Sequence, residues 1–276
     1  MAFSPDFGYS DTQRAYIGGQ FWDGRAKDLP TQATFPLFNP IEMNNSSLPA
    51  FVAKVQAGRY ANALKQLYGA TVFNDPQTAL NAIVDAMAQF ERTPEVSPFN
   101  SKFDAFLKGN IQLAPAEIRG MALFNGKAAC AECHVSSPQP NGNPPLFTQF
   151  CYDNVGLPKN KNNPYYTIPA KYNPAGPGFI DLGLQNTTSD ASTAGFFQTP
   201  TLRNIAVTGP YFHNGIFSTL AEVVNFYNTR DTGNFGAPEV PATVDHSVLI
   251  GHLGLTASEQ SDLITFLGTL TDGFSP

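Results

Sequence analysis

One pentapeptide constrains this chain more than any other feature: Cys130-Ala131-Glu132-Cys133-His134, a C-x-x-C-H sequence. Its spacing puts two thiols about one helical turn apart, so both can add to the two vinyl groups of a single porphyrin while the adjacent His reaches the iron. A fold built around such a group must bury a large, flat, apolar face beside the motif. Two other chemistries also use paired cysteines. A zinc site needs four ligands, and the rest of the chain offers Cys151, His213, His246 and His252 without a second paired spacing. A redox dithiol wants a strand-to-helix junction, whereas this motif follows a helical run from Pro115 to Phe124, with Ile118, Met121 and Ala122 on its predicted apolar face and Gly126 closing it.

Charge and composition exclude several classes. The 276 residues carry 16 basic and 22 acidic side chains, net −6, and the basic ones are scattered, so a nucleic-acid-binding stripe is not predicted. No run of apolar residues is long enough to span a bilayer, and the N-terminal MAFSPDFGYSD has neither the basic flank nor the hydrophobic stretch of an export signal. With 23 Phe and 10 Tyr there is ample surface to bury, which excludes disorder as the dominant state. The 23 Gly and 23 Pro, against only 14% charged residues, predict long, ordered connections.

Along the chain, residues 1–50 read as irregular, with turn pairs at Ser4-Pro5, Gly18-Gly19 and Asn39-Pro40. A helix is predicted from Leu48 to Leu67, broken near Gly58, and a second from a cap at Asp75 with Pro76 at its first position to Arg92. Thr93-Pro94 and Ser97-Pro98 mark a linker. Residues 135–200 lack helical periodicity, and a segment of that length inside a compact domain is normally functional or wrapped around a cofactor. Capping boxes at Thr219–Glu222 and Thr256–Glu259 open two last helices. The first of these places Tyr227 on the apolar face of Leu220, Val223 and Val224, and the second buries Leu263, Ile264, Leu267 and Leu270. Cys151, without a partner, reads as a buried thiol.

A helix running into C-x-x-C-H is how small cytochrome c domains begin, and three blocks together extend that likeness. They are Phe21-Trp22-Asp23-Gly24-Arg25-Ala26 continuing through Gln32 and Pro36 to Asn39-Pro40-Ile41-Glu42-Met43; Gly120 through His134; and Thr199-Pro200-Thr201-Leu202-Arg203-Asn204 followed by Thr208-Gly209-Pro210-Tyr211-Phe212-His213-Asn214-Gly215. In this order the chain resembles the bacterial di-haem cytochrome c peroxidases and their MauG-type relatives over nearly its whole length. The resemblance implies a mainly α fold: cytochrome c-like domains with long irregular loops in a two-domain di-haem peroxidase architecture, the N-terminal domain being incomplete.

The functional residues implied by the resemblance are specific. Gln32 and Glu42 match the distal pocket where peroxide is reduced, Glu42 as the acid/base moving a proton between peroxide oxygens and Gln32 as a polar positioning group, with Pro36 lining the pocket. Trp22 matches a tryptophan between the two haems. Cys130, Cys133 and His134 would hold the electron-transferring haem c, and Tyr227, fourteen residues after His213, falls where the peroxidases have a Met iron ligand and the MauG-type branch a Tyr. Unlike a thioether, a phenolate is hard and anionic, so it favours oxidised iron. A calcium ion is implied at the backbone carbonyls of Thr208 and Pro210, although its usual Asn ligand has no counterpart among Ala2, Phe3 and Ser4. His213 is assigned to organising the haem edge or the domain interface.

One departure follows. A di-haem enzyme needs two C-x-x-C-H motifs and this sequence contains one, with no Cys ahead of Trp22. The expectation is a partial N-terminal, peroxidatic domain over residues 1–97 and a complete haem-bearing cytochrome c domain over 98–276. The function implied is a MauG-type peroxidase or oxidase acting on hydrogen peroxide with a redox-protein donor or protein substrate; the alternative is a mono-haem electron-transfer protein. A periplasmic location is implied, because covalent haem attachment takes place outside the cytoplasm; a homodimer is compatible with the family, and neither a membrane span nor a nucleic-acid partner is expected.

Overall fold

Helices supply most of the regular structure in the computed structural model, which describes residues 2–139, 142–246 and 250–275. A short antiparallel hairpin, β1 (Gly8–Ser10) and β2 (Ala15–Ile17), opens the chain with Tyr9 opposite Tyr16. Helices α1 (Leu29–Phe38), α2 (Leu48–Gln56), α3 (Ala61–Tyr68) and α4 (Pro76–Glu91) follow, then α5 (Lys102–Leu107) and α6 (Pro115–Asn125). After the C-x-x-C-H turn the described residues hold only β3 (Tyr152–Asp153), α7 (Gln185–Thr188), β4 (Phe197–Gln198) and single 3-10 turns before α8 (Leu220–Thr229) and α9 (Ala257–Gly268). The two strands of that stretch pair antiparallel.

Local signals account for most of these boundaries. Asp75 accepts the Thr78 amide at 2.7 Å, and the boxes Thr219/Glu222 and Thr256/Glu259 close reciprocally, satisfying amides that the helix itself leaves unpaired. The predicted break near Gly58 separates α2 from α3, and α4 ends at Glu91 with Arg92 as its cap. Helix α1 corrects the irregular reading of residues 1–50: Asp28 caps it through the Thr31 amide at 2.8 Å, while the internal Pro36 hides the periodicity. The apolar face assigned to α6 is also corrected. Ile118 is 45% exposed and Ala122 is exposed, Met121 alone of the three packs half-buried against the core, and the buried positions are Glu117, Gly120 and Phe124. There α9 crosses so closely that a Cβ on Gly120 would lie 2.0 Å from the Asp262 carbonyl oxygen.

Two cores result. One joins α1 to α4 through Leu37, Phe51, Val52, Leu64, Leu80 and Ile83. The other gathers α5, α6, α8 and α9 around the rings of Phe103, Phe124, Phe147 and Phe266, with neighbouring centroids 5.4 to 6.4 Å apart. Residues 17–22 lie against the long irregular segment: Ile17 bridges Cys151, the Tyr152 hydroxyl donates to the Gly18 carbonyl at 2.6 Å, and the Gln198 amide donates to the Trp22 carbonyl at 2.8 Å. Gly24 makes that approach possible, since its φ is +70° and a Cβ there would sit 2.3 Å from the Tyr152 hydroxyl. Trp22 is thereby held beside the second core. Among the described residues no helix is long and apolar enough to cross a membrane.

Candidate functional site

The C-x-x-C-H residues close into one turn. Ala129 adopts a left-handed φ of 53°, Cys130–Glu132 form a 3-10 turn, and the His134 amide donates to the Cys130 carbonyl at 2.9 Å. The imidazole is then oriented from outside the motif. His134 Nδ1 lies 2.8 Å from the Phe147 carbonyl oxygen. A carbonyl only accepts, so Nδ1 carries the hydrogen and Nε2 keeps a free lone pair, the arrangement of a metal-ligating histidine. Burial depresses the imidazole pKa to about 4, against the opposing pull of the Phe147 and Pro200 carbonyls, so the ring is neutral at pH 7.

The orienting carbonyl is itself fixed by the third sequence block. Phe147 is fully buried with φ of 54°, a turned backbone that a bulky residue rarely adopts. Around it Thr148 Oγ1 donates to the Thr199 carbonyl, Thr201 Oγ1 to the Leu146 carbonyl, each at 2.6 Å, and Arg203 Nε to the Pro145 carbonyl at 3.0 Å. The Arg203 guanidinium forks onto Asp104 of α5 at 2.6 and 2.7 Å, both side chains being buried. Sequence reasoning assigned no role to Phe147, Thr148 or Arg203; Arg203 stood inside a recognised block, whereas nothing local to Phe147 marks it.

Beside His134 lies a largely apolar cleft of two lobes that share Trp22, Cys130, His134, Pro200, Phe212, Tyr227 and Leu253. The first lobe adds Cys133, Asp153, Asp181, His213 and Glu239; the second adds Leu202, Thr208, Pro210 and Leu263. All three cysteines are free thiols. Burial pushes Cys130 and Cys133 up to about 12, with Asp153 and Glu132 adding to the effect at Cys133. Cys151 is buried near the Gln13 side-chain oxygen, 3.4 Å away. Burial also raises the Tyr227 phenol, as do the neighbouring thiols and Asp153, while Arg230 pulls the other way. His213 stacks on Phe197 with centroids 3.4 Å apart and planes 8° from parallel. Its buried Nε2 has no hydrogen-bond partner among the described residues.

Of the predicted site residues, Trp22, Cys130, Cys133, His134 and Tyr227 are brought to this one cleft, with Thr208 and Pro210 on its second lobe. Gln32 on α1 and the exposed Glu42 in the turn that follows it line neither lobe. An apolar slot, two thiols at its edge, a free imidazole nitrogen and an orphaned buried nitrogen on His213 all fit a covalently bound porphyrin. That donor set defines a c-type haem protein.

Comparison with known proteins narrows the class. Residues 5–112 match the family model of the di-haem cytochrome c peroxidases. Methylamine utilization protein MauG of Paracoccus denitrificans (strain Pd 1222) is 36% identical, over 98% of this chain and 72% of the relative. Cytochrome-c peroxidase IdrP1 of Pseudomonas sp. (strain SCT) is 30% identical, over 93% and 65% respectively. The crystal structure of the diheme peroxidase BthA from Burkholderia thailandensis E264 superposes with a TM-score of 0.82 at 32% identity, over 98% of this chain and 70% of that one. The chain belongs to the di-haem cytochrome c peroxidase and MauG family of haem oxidoreductases.

Proposed function

We propose that this chain serves peroxide reduction, with the haem on Cys130, Cys133 and His134 relaying electrons from a redox-protein donor or a protein substrate. The convergence of Trp22, the two thiols, His134 Nε2 and Tyr227 on one cleft carries this reading. When bound, haem would supply a reversible one-electron store at its iron. The protein's part is to orient His134 through Phe147, to exclude water with Phe212, Leu253 and Pro200, and to hold Trp22 beside the cleft. Gln32 and Glu42, outside this cleft, are assigned to peroxide: Glu42 to proton delivery and Gln32 to positioning. The carbonyls of Thr208 and Pro210 suit a calcium ion, residues 1–97 and 98–276 form the two functional halves, and the periplasm is the compartment in which haem is attached.

The test is a haem-loaded preparation supplied with hydrogen peroxide and a reduced cytochrome or artificial donor. Peroxide-dependent donor oxidation is expected, and Glu42→Gln should slow it by about a hundredfold. Stable electron exchange with no peroxide turnover would instead establish the mono-haem electron-transfer reading.

Tyr227 is proposed as a second protein ligand that would hold the haem iron together with His134. Tyr227→Phe should convert a six-coordinate ferric spectrum to an open or water-ligated one and raise the midpoint potential, because an anionic oxygen that stabilises oxidised iron is lost. An absorption and spin-state spectrum identical to the parent would remove Tyr227 from the ligand set.

A further inference from the structure

We propose that Asn228 is a positioning residue for this cleft, latching segment 250–255 onto α8 and thereby setting how readily a small ligand reaches the iron. The inference rests on the haem reading above and not on Tyr227 as a ligand. Asn228 follows Tyr227 on α8 and is buried. Its amide makes a reciprocal pair with one backbone residue: Nδ2 donates to the Leu255 carbonyl at 3.0 Å, and Oδ1 accepts the Leu255 amide at 2.8 Å. The same segment is pinned a second time where the Gly251 amide donates to the Tyr227 carbonyl at 2.7 Å. Gly251 has φ of +98°, and a Cβ there would lie 2.4 Å from Asp231 Oδ2, so the segment runs tight against the end of α8. Between the two pins, the buried Leu253 lines both lobes of the cleft, and Ile250, just before the first pin, lines one. Asn228 itself lines neither lobe, so its influence on the iron passes through Leu253 and the Tyr227 backbone.

The physical consequence is direct. Removing the amide leaves the buried Leu255 N–H without its partner and the Leu255 carbonyl with only the longer bond from Gln260 Nε2 at 3.4 Å, and the least costly relief is for the segment to lift toward water. Leu253 lifts with it, and the wall of the cleft opens.

Imidazole binding to ferric, haem-loaded protein in a Tyr227→Phe background, where the position proposed for Tyr227 is open, reads this out by stopped-flow absorption. Asn228→Ala should speed association about tenfold, as expected for losing a buried hydrogen-bonded pair. Asn228→Asp, which still accepts the Leu255 amide but donates nothing, should fall between Asn228→Ala and the parent. Rates within about twofold of the parent in both variants would overturn the proposal even if thermal stability fell, since a merely structural role lowers melting without changing ligand entry. If Asn228→Ala does not fold, Asn228→Asp and Leu253→Ala, which should also speed entry, carry the test by the same criterion. Because every variant is compared in that background, acceleration sustains Asn228 whatever the spectrum says of Tyr227. A protein whose mass shows no haem taken up overturns the haem reading and this one together.

Discussion

Changing Cys130 and Cys133 together to serine is expected to abolish covalent haem altogether. A serine hydroxyl forms no thioether, so the mass of the purified protein should fall to that of the bare chain, and acid extraction should leave no porphyrin absorbance on the polypeptide. Either single variant should keep one thioether and most of its haem. His134→Ala is the informative partner: both thiols remain, so the mass added by haem should be unchanged, while the imidazole ligand and its spectral signature are lost. Haem that survives acid extraction of the double serine variant would remove the C-x-x-C-H turn from the site, and with it the free His134 Nε2 as the reason for the cleft.

The second large effect is expected at a pair that lines neither lobe of the cleft. Arg203→Met should destabilise the fold by about 3–5 kcal/mol in chemical denaturation, because it strands the carboxylate of Asp104 in the core. That carboxylate is 1% exposed, and its bonds to Arg203 and Ser101 outweigh burial and hold its pKa below the ordinary 3.8. A depressed carboxylate contributes stability that is fully present above its unfolded pKa and lost as pH falls through the folded one. The gap between parent and variant should therefore be widest near neutrality and shrink below about pH 4. Arg203 also holds the Pro145 carbonyl, two residues from the Phe147 oxygen that orients His134, so the variant should disturb the haem spectrum as well. A loss under about 1 kcal/mol would show that the pair is replaceable by packing, as some buried ion pairs are.

Much of this was legible in sequence for reasons of range. C-x-x-C-H, the Asp75 cap and the boxes at Thr219 and Thr256 depend on residues two to four apart, so their geometry follows from helical spacing. The inward placement of Tyr227 on α8 followed from the same periodicity. Helix α1 was not legible, because Pro36 interrupts its pattern and its cap, Asp28, stands in a run of turn residues. The buried face of α6 was misassigned for a different reason: its contact with α9 is made by Gly120, a residue that contributes nothing to an apolar count yet alone permits the backbones to touch.

By itself, then, the sequence determined which chemistry the chain carries: two thiols and an imidazole at porphyrin spacing, and blocks in the order of a peroxidase family. Tertiary structure decided which residues share the cleft and in what state. It freed Nε2 of His134 by committing Nδ1 to a carbonyl 13 residues away, held that loop with an arginine whose partner lies 99 residues distant, and brought Trp22 alongside through Gln198 and Tyr152. Such contacts join segments with no short-range relation, and hydrogen-bond direction and burial, which set tautomer and charge, exist only once those segments have met.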